Sequence, residues 1–383
     1  MKRLTKYWII VFFITAITIV LNLCAFSRSF CNFYNDHVYG IINAVVGTLT
    51  SWCPFAMGEI IMYVGGLSVI LLVLFAVLLL FLRKKKGFVR FTAKYAKGVL
   101  LAGVFFLLIY TVNWFICFRS DVVRVSDNQR TTFSFDEIAY VYGMAVENLN
   151  ELSQKVERDE NGSVVYDYTD EDIIEAMRGI SDEFGRFAGH YSKPKMALCS
   201  PFLEWMNIGG YNYIYTMEPT YNKYLAPHYF PILLAHEYAH HKGYYKENEG
   251  KFFSDLAMVS SDNCLFQYCG YYDIYANLSY DFETAVLERF VAINGELTKE
   301  NLEDYLAFRA EYPMVSKQVS DDITESYKIA DALYESEVPQ KLEESFSEAS
   351  GEISSKGWAI QGEILQENSY DGVVLMLLQY YVN

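Results

Sequence analysis

Acidic residues are almost absent from the first 118 residues of this chain. That segment holds 11 lysines and arginines and only two carboxylates, whereas the remainder holds 20 basic and 45 acidic residues. Charged residues make up only 20% of the chain and hydrophobic ones 52%, a balance that excludes an intrinsically disordered protein. Because the acidic remainder has no basic stripe, it would repel a phosphate backbone, and we expect no nucleic-acid partner.

Three apolar stretches lack the polar face that a helix on the surface of a soluble protein shows. They cover residues 7–25, 60–82 and 98–118, and each is near the ~20 residues that a helix needs to cross a membrane. The sequence therefore predicts a membrane domain at 1–118 with three transmembrane helices. A cleaved signal peptide is the alternative for the first stretch, which is longer than the usual apolar core of such a peptide.

Basic residues are unevenly distributed between the loops. Seven lie in residues 83–97 and three in residues 2–6, whereas the loop between the first two spans has only Arg28. We expect the protein in the cytoplasmic membrane, and the positive-inside rule predicts that its N-terminus and its 83–97 loop lie on the cytoplasmic side. The third span then delivers residues 119–383 to the extracytoplasmic side. A transporter is disfavoured because the spans contain no buried charged residue to mark an ion path.

The pattern of residues 119–383 favours a mostly helical domain with one small sheet. Tyr211, Tyr213 and Tyr215 alternate with other residues as in a short strand, which could pair with an extended peptide or simply pack in the core. Apolar residues at three- and four-residue spacing predict helices at 134–158, 168–190, 249–260, 281–294, 300–310, 320–348 and 370–381.

The segment His236-Glu237-Tyr238-Ala239-His240 carries the clearest chemistry. It lies in an apolar helical pattern that stops near Gly243. Two histidines four residues apart share one helix face, so that both imidazoles can bind one Zn²⁺. Glu237 is placed to take a proton from a zinc-bound water, whose pKa the metal lowers towards ~7. We therefore expect His236 and His240 as zinc ligands and Glu237 as the general base.

A catalytic zinc site usually has a third protein ligand and one open position. Lys246 stands where a metzincin would have its third histidine, which excludes that subclass. Glu249 is the preferred third ligand, because it begins a predicted helix that could pack against the HExxH helix. Glu247 is the alternative, and Asp255 and Asp262 are expected to support the ligands.

Further motifs resemble those of a bacterial membrane-protein family known as domain of unknown function 3810. Residues 54–59 resemble its PFSxxE element, residues 216–218 its T-G-E, residues 247–252 its E-x-E-A-N-F and residues 268–271 its Y-S-G-Y. The resemblance implies a zincin-like α+β domain and favours Glu249 as a zinc ligand. The chain departs from these patterns at Met217, Gly250 and Lys251.

We therefore expect a membrane-anchored zinc metallopeptidase that hydrolyses a peptide or protein substrate outside the cytoplasmic membrane. The alternative is a non-catalytic sensor or binding protein with a structural or vestigial zinc site, which would not need Glu237. An intramembrane protease is disfavoured because polar sequence flanks residues 229–242. Of the remaining candidates, we expect Glu218 to be a turn or cap residue, His241 a surface residue and His228 a loop residue without a catalytic role.

Overall fold

The computed structural model describes residues 6–127, 129–338 and 371–382, and within these ranges the chain is mainly helical. Its first part comprises α1 (Lys6–Cys24), α2 (Arg28–Tyr34), a π-helical turn (Asn35–Tyr39), α3 (Gly40–Ser51), α4 (Met57–Leu82), α5 (Lys86–Tyr110), a second π-helical turn (Thr111–Phe115) and α6 (Ile116–Phe118). Its second part comprises α7 (Phe135–Leu152), α8 (Asp170–Gly179), a 3₁₀ turn (Gly185–Ala188), β1 (Lys195–Met196), α9 (Ser200–Trp205), β2 (Gly210–Tyr213), β3 (Glu218–Tyr221), α10 (Phe230–His241), α11 (Glu247–Val259), α12 (Cys264–Asn294), α13 (Leu302–Arg309), α14 (Lys317–Glu337) and α15 (Asp371–Val382).

Three helices are long and apolar enough to cross a membrane: α1, α4 and the continuous helix Lys86–Phe118 that joins α5 to α6. The first two agree closely with the predicted spans 7–25 and 60–82. The third helix begins at Lys86, earlier than the predicted 98–118. Most of the 83–97 segment, which the sequence suggested to be a loop, is therefore the start of α5. Lysine and arginine are good helix formers, and here they occupy exposed positions on the first turns of α5.

Residues 26–59 were expected to be a loop but are mostly helical and pack on the second part. The side-chain amide of Asn35 donates to the carbonyl of Gly243 at 2.9 Å. The hydroxyl of Thr50 donates to the carbonyl of Thr216 at 2.8 Å. The two parts of the chain therefore share a buried interface across the boundary that the sequence suggested.

The three strands form one sheet in the order β1–β3–β2, with β1 parallel and β2 antiparallel to β3. In the antiparallel pair, Tyr211 opposes Thr220 and Tyr213 opposes Glu218. The predicted tyrosine strand is therefore confirmed at its first two tyrosines, whereas Tyr215 lies in the turn towards β3. Among the described residues β2 is an edge strand of this sheet, and it packs against α10.

Aromatic side chains fill the core between α7, α10, α11 and α12. Tyr142 of α7 stacks on Phe282 of α12 with ring centroids 3.8 Å apart. Burying a side chain of this size contributes roughly 2 kcal/mol or more, so these contacts hold the four helices together. Further aromatic residues with almost no exposed surface are Tyr238, Phe252, Phe253, Phe266 and Tyr268.

Most of the predicted helices are present, but two are shorter than expected, and the one predicted at 134–158 ends at Leu152. The predictions at 134–158, 249–260, 300–310, 320–348 and 370–381 correspond to α7, α11, α13, α14 and α15, and 281–294 is the end of α12. The helix predicted at 168–190 ends at Gly179, and a 3₁₀ turn begins at Gly185, because glycine weakens a continuing helix. The end of the prediction at 320–348, beyond residue 338, lies outside the described residues.

Candidate metal centre

Helix α10 carries the HExxH segment through the core of the second part. Pro231 stands in its first turn, where proline is tolerated, and Gly243 follows its end with a left-handed φ of +89°. His236 and His240 lie one turn apart on the same face, with ring centroids 4.4 Å apart. Their side chains are 13% and 10% exposed, so the pair retains a small opening to the surface.

Glu247, in the first turn of α11, completes a cluster with the two histidines. Its Oε2 lies 3.2 Å from Nε2 of His236 and its Oε1 lies 3.6 Å from Nε2 of His240. Among the described residues, these three form the group of histidine and carboxylate side chains whose ligand atoms all lie within 4.8 Å of one another. Two imidazoles and one carboxylate are a donor set that Zn²⁺ binds in catalytic sites.

Glu249, the preferred third ligand, does not join this cluster. Its Oε1 accepts a hydrogen bond from the backbone N–H of Val123 at 2.8 Å, and its Oε2 lies 3.9 Å from Nζ of Lys246. Residues two positions apart on a helix point in directions that differ by about 200°, so Glu247 and Glu249 point to opposite sides of α11. In this geometry the third candidate ligand is Glu247, the alternative that the sequence left open.

Most of the chain matches the model of one protein family. That family is described as a protein of unknown function, DUF3810, and the match covers residues 34–332. The chain belongs to the DUF3810 family. No curated protein and no solved structure matches it. The matched range includes two of the three long apolar helices and the whole His236–His240–Glu247 cluster, so the family extends over both parts of the chain.

Glu237, the expected general base, is buried beside the cluster in this DUF3810 protein. It is 3% exposed, and burial raises the pKa of its carboxyl to about 8. Its Oε2 has no hydrogen-bond partner among the described residues. A Cβ added to Gly210 of β2 would lie 3.3 Å from Cγ of Glu237, so the edge strand passes directly alongside. A buried carboxylate oxygen without a partner is a position where an external donor is expected.

The backbone after α10 fixes the orientation of His240. Nδ1 of His240 lies 2.7 Å from the carbonyl of Tyr244, which can only accept a hydrogen bond, so Nδ1 carries the proton. Nε2 is thereby left to face Glu247 or a metal ion. The ring of Tyr245 lies parallel to that of His240, with centroids 5.9 Å apart. An imidazole held in this way by a carbonyl is typical of metal-ligating histidines.

The charges of the three cluster residues depend on one another. Burial opposes ionisation of Glu247, but the attraction of the neighbouring His236 and His240 outweighs it and holds the pKa of its carboxyl well below the usual range. Burial also opposes a charge on His240, yet Glu247 raises the pKa of this imidazole to about 9. Burial and the neighbouring His240 lower the pKa of His236. A divalent cation would replace the proton that His240 shares with this carboxylate.

Gly250 of α11 lies directly against the histidine rings. A Cβ at this position would lie 2.7 Å from Cε1 of His236 and 3.1 Å from Cε1 of His240. The first distance is too short for two carbon atoms and the second is tight, so a larger residue would require the ring of His236 to move. The absence of a side chain at Gly250 therefore permits the close approach of α11 that brings Glu247 to the histidines.

Three other candidates have structural roles. Glu218 is fully buried and its Oε2 accepts a hydrogen bond at 2.9 Å from the backbone N–H of Gly58, in the first turn of α4, in line with the predicted cap role. His228 is buried, with Nδ1 2.9 Å from the hydroxyl of Ser326. The prediction that His241 is a surface residue is wrong, because α3 covers the end of α10 and leaves this imidazole fully buried.

The aspartates expected to support the ligands lie elsewhere. Asp255 accepts a hydrogen bond from Asn277 at 3.3 Å, and Asp262 is exposed beyond the end of α11. Sequence reasoning also missed the backbone carbonyl of Tyr244, which no side-chain pattern could indicate. It missed Glu59, although this residue ends the 54–59 motif. Its carboxylate accepts hydrogen bonds from the start of α9 and so joins α4 to the second part.

Proposed function

We propose that this protein is a zinc metallopeptidase of the zincin type, anchored by three membrane-spanning helices. The observation that carries the proposal is the convergence of His236, His240 and Glu247 beside Glu237, whose Oε2 has no partner among the described residues. Three protein ligands with room for a further group distinguish a catalytic zinc site from a closed structural one. A general base in contact with such a site is the second requirement for hydrolysis.

The residues have separable roles in this proposal. Zinc, when bound, supplies the Lewis acid that makes water nucleophilic at neutral pH and polarises the scissile carbonyl. Glu237 takes the proton from the attacking water and passes it to the leaving amine. In the metal-free protein burial raises the pKa of its carboxyl to about 8, and a cation beside it would lower that pKa, so that the carboxylate can accept a proton at neutral pH. The carbonyl of Tyr244 orients His240.

A peptide in extended conformation is the substrate that the sheet favours. Strand β2 lies at the sheet edge, and its Gly210 is next to Glu237. An edge strand offers backbone groups that an extended peptide can pair with, and that pairing would bring a peptide bond to the general base. This supports a peptidase over a hydrolase of small molecules.

The distribution of charge supports an extracytoplasmic position for the candidate site. The basic residues 83–86 lie where α4 meets α5, at the opposite ends of those helices from the second part of the chain. With this junction in the cytoplasm, the positive-inside rule places the second part outside the cytoplasmic membrane.

A peptide-library digest tests the proposed activity. The full chain should be used, because residues 26–59 pack against the end of α10. We expect zinc-loaded protein to produce new peptide termini detected by mass spectrometry, chelation to abolish them and added zinc to restore them. Zinc-loaded, folded protein that cleaves no peptide would favour the non-catalytic sensor instead.

A further inference from the structure

Helix α3 has one face on the protein and one that faces away from it. On the inner face, the amide of Asn43 donates to the carbonyl of His241, and the hydroxyl of Thr50 donates to the carbonyl of Thr216 in the turn before β3. On the outer face, Ile41, Val45 and Leu49 are 67%, 57% and 64% exposed. The helix has 12 residues and is therefore about 18 Å long, too short to cross the ~30 Å core of a bilayer.

Exposed apolar residues continue beyond α3, because the amine of Lys195 in β1 donates to the carbonyl of Cys53 and holds β1 beside the end of this helix. Trp52, just after this helix, is 77% exposed, and Phe202 of α9 is 44% exposed. We call the whole surface the apolar rim, which comprises Ile41, Val45, Leu49, Trp52, Phe55, Met196, Leu198 and Phe202. Contiguous apolar surfaces of this kind are rare where a protein faces water.

Hydrogen bonds attach the rim to the first turn of a membrane-spanning helix. Glu59 of α4 accepts from the backbone N–H of Leu198 at 2.7 Å and from that of Cys199 at 2.8 Å. Further along α4, Met62 and Val64 are 53% and 58% exposed. The rim therefore adjoins the exposed apolar surface of α4.

We propose that the apolar rim is inserted in the bilayer leaflet that adjoins the second part of the chain, with α3 lying in the plane of the interface. Residues 40–51 contain no charged side chain, and Trp52 is of a type enriched at the level of the lipid headgroups. Lys193, exposed beside the end of α3, can extend its amine towards the headgroups. The occupant of this surface is lipid, since the surface adjoins that of a membrane span.

Insertion of the rim would bring the candidate metal centre close to the bilayer. Tyr39 directly precedes α3, and its ring centroid is 6.1 Å from that of Tyr245, which stacks on His240 at 5.9 Å. A peptide reaching this centre would then be a segment near the membrane surface. This consequence for the substrate rests on the proposed function, whereas insertion of the rim does not.

Quenching by brominated lipid tests the insertion directly. A fluorescent amino acid would replace Leu49 or Phe202 in the full chain. Tyr280 on α12 and Leu306 on α13, which are 80% and 56% exposed and lie outside the rim, are the control positions. The protein would be reconstituted in phosphatidylcholine vesicles with or without bromine on the acyl chains. We expect about twofold or stronger quenching at both rim positions and almost none at the controls, because an interfacial helix reaches ~5–10 Å into the leaflet.

Two results would overturn the proposal. Rim labels that are quenched no more than the controls, with emission typical of water, would show a solvent-exposed rim. Rim labels with apolar emission but no quenching would show that a second copy of the chain or another protein covers the surface. Neither readout depends on zinc or on hydrolysis, so the test is independent of the peptidase proposal.

Discussion

Glu59 and Glu237 are both buried carboxylates, but their surroundings differ. Glu59 has no exposed surface and accepts three hydrogen bonds, from the backbone of Leu198 and Cys199 and from the hydroxyl of Tyr63 at 2.9 Å. Glu237 is almost as buried, yet its Oε2 has no partner among the described residues. Burying an unsatisfied polar atom costs roughly 1–3 kcal/mol.

This difference separates a structural region from a candidate reactive one. The carboxylate of Glu59 is satisfied inside the chain, where it joins α4 to the start of α9. The carboxylate of Glu237 has an oxygen that only a donor from outside the described chain could satisfy, and it lies beside residues that suit a metal ion. Burial alone therefore does not mark a functional carboxylate, and neither does an unpartnered oxygen, since Oε1 of Glu218 is unpartnered as well. What distinguishes Glu237 is an unpartnered oxygen beside a group of side chains that suits a metal ion.

The largest expected effect comes from removing the proposed general base. Glu237→Gln should lower the rate of peptide hydrolysis by about 10²–10⁴-fold, because proton transfer by a positioned side chain contributes that much. Zinc content should stay the same, since this residue is not a candidate ligand. The measurement is turnover of a library-derived peptide together with elemental analysis. Activity within a few-fold of the unchanged protein would contradict the role of Glu237.

The next comparison is between the two carboxylates of α11. Glu247→Gln should weaken zinc binding by about 100-fold or more, because even residues that merely support ligands contribute 10–100-fold. Glu249→Gln is the matched control and should leave zinc affinity nearly unchanged, since the carboxylate of Glu249 accepts a hydrogen bond from the backbone of Val123 and does not face the histidines. Competition with a zinc-binding dye measures both. The reverse order of effects would restore Glu249 as the ligand and contradict the geometry of the cluster.

A smaller effect is expected at the structural carboxylate. Glu59→Gln should lower the free energy of unfolding by about 1–3 kcal/mol, because an amide cannot accept from all the donors that meet the carboxylate. Glu288→Gln, at an exposed position on α12, is the control. Thermal unfolding in detergent measures both variants. Equal midpoints would show that the bonds between α4 and α9 contribute little to stability.

The smallest predicted effect is on pH dependence in metal-free protein. The folded-state pKa of Glu237, about 8, exceeds its ordinary value of 4.5, so folding keeps a proton that the unfolded chain releases. Stability should therefore fall as pH rises between these values, by about 1 kcal/mol per pH unit for one proton.

Glu237→Gln should remove this loss, which denaturant unfolding at pH 6 and pH 7 can measure. His240, whose folded pKa of about 9 also exceeds its ordinary 6.5, adds a loss in the same direction at higher pH. The difference between the two proteins gives the contribution of Glu237, including its effect on the pKa of His240. Identical slopes for both proteins would contradict its raised pKa.

The sequence was informative where local patterns determine structure. The three long apolar helices, the tyrosine strand and the helix that carries His236 and His240 follow from composition and periodicity. The end of that helix follows from Gly243, because a left-handed residue is favoured there. These features depend on neighbours in the sequence rather than on distant contacts.

Features that depend on tertiary packing could not be predicted. The choice between Glu247 and Glu249 depends on which side of α11 faces α10, and spacing along the chain leaves that open. The burial of His241 and the helical state of residues 26–59 arise from one interface between segments about 200 residues apart. The docking role of Glu59 has the same origin, since its partners follow β1.

Zinc content of the purified full chain tests the central claim most directly. His236→Ala removes one candidate ligand, and His37→Ala removes an exposed histidine outside the cluster as a matched control. We predict about one zinc per chain in the unchanged protein and in the His37 variant, as one three-ligand site requires, and none in the His236 variant. Folded protein without zinc after reconstitution, or zinc that persists in the His236 variant, would contradict the metal centre.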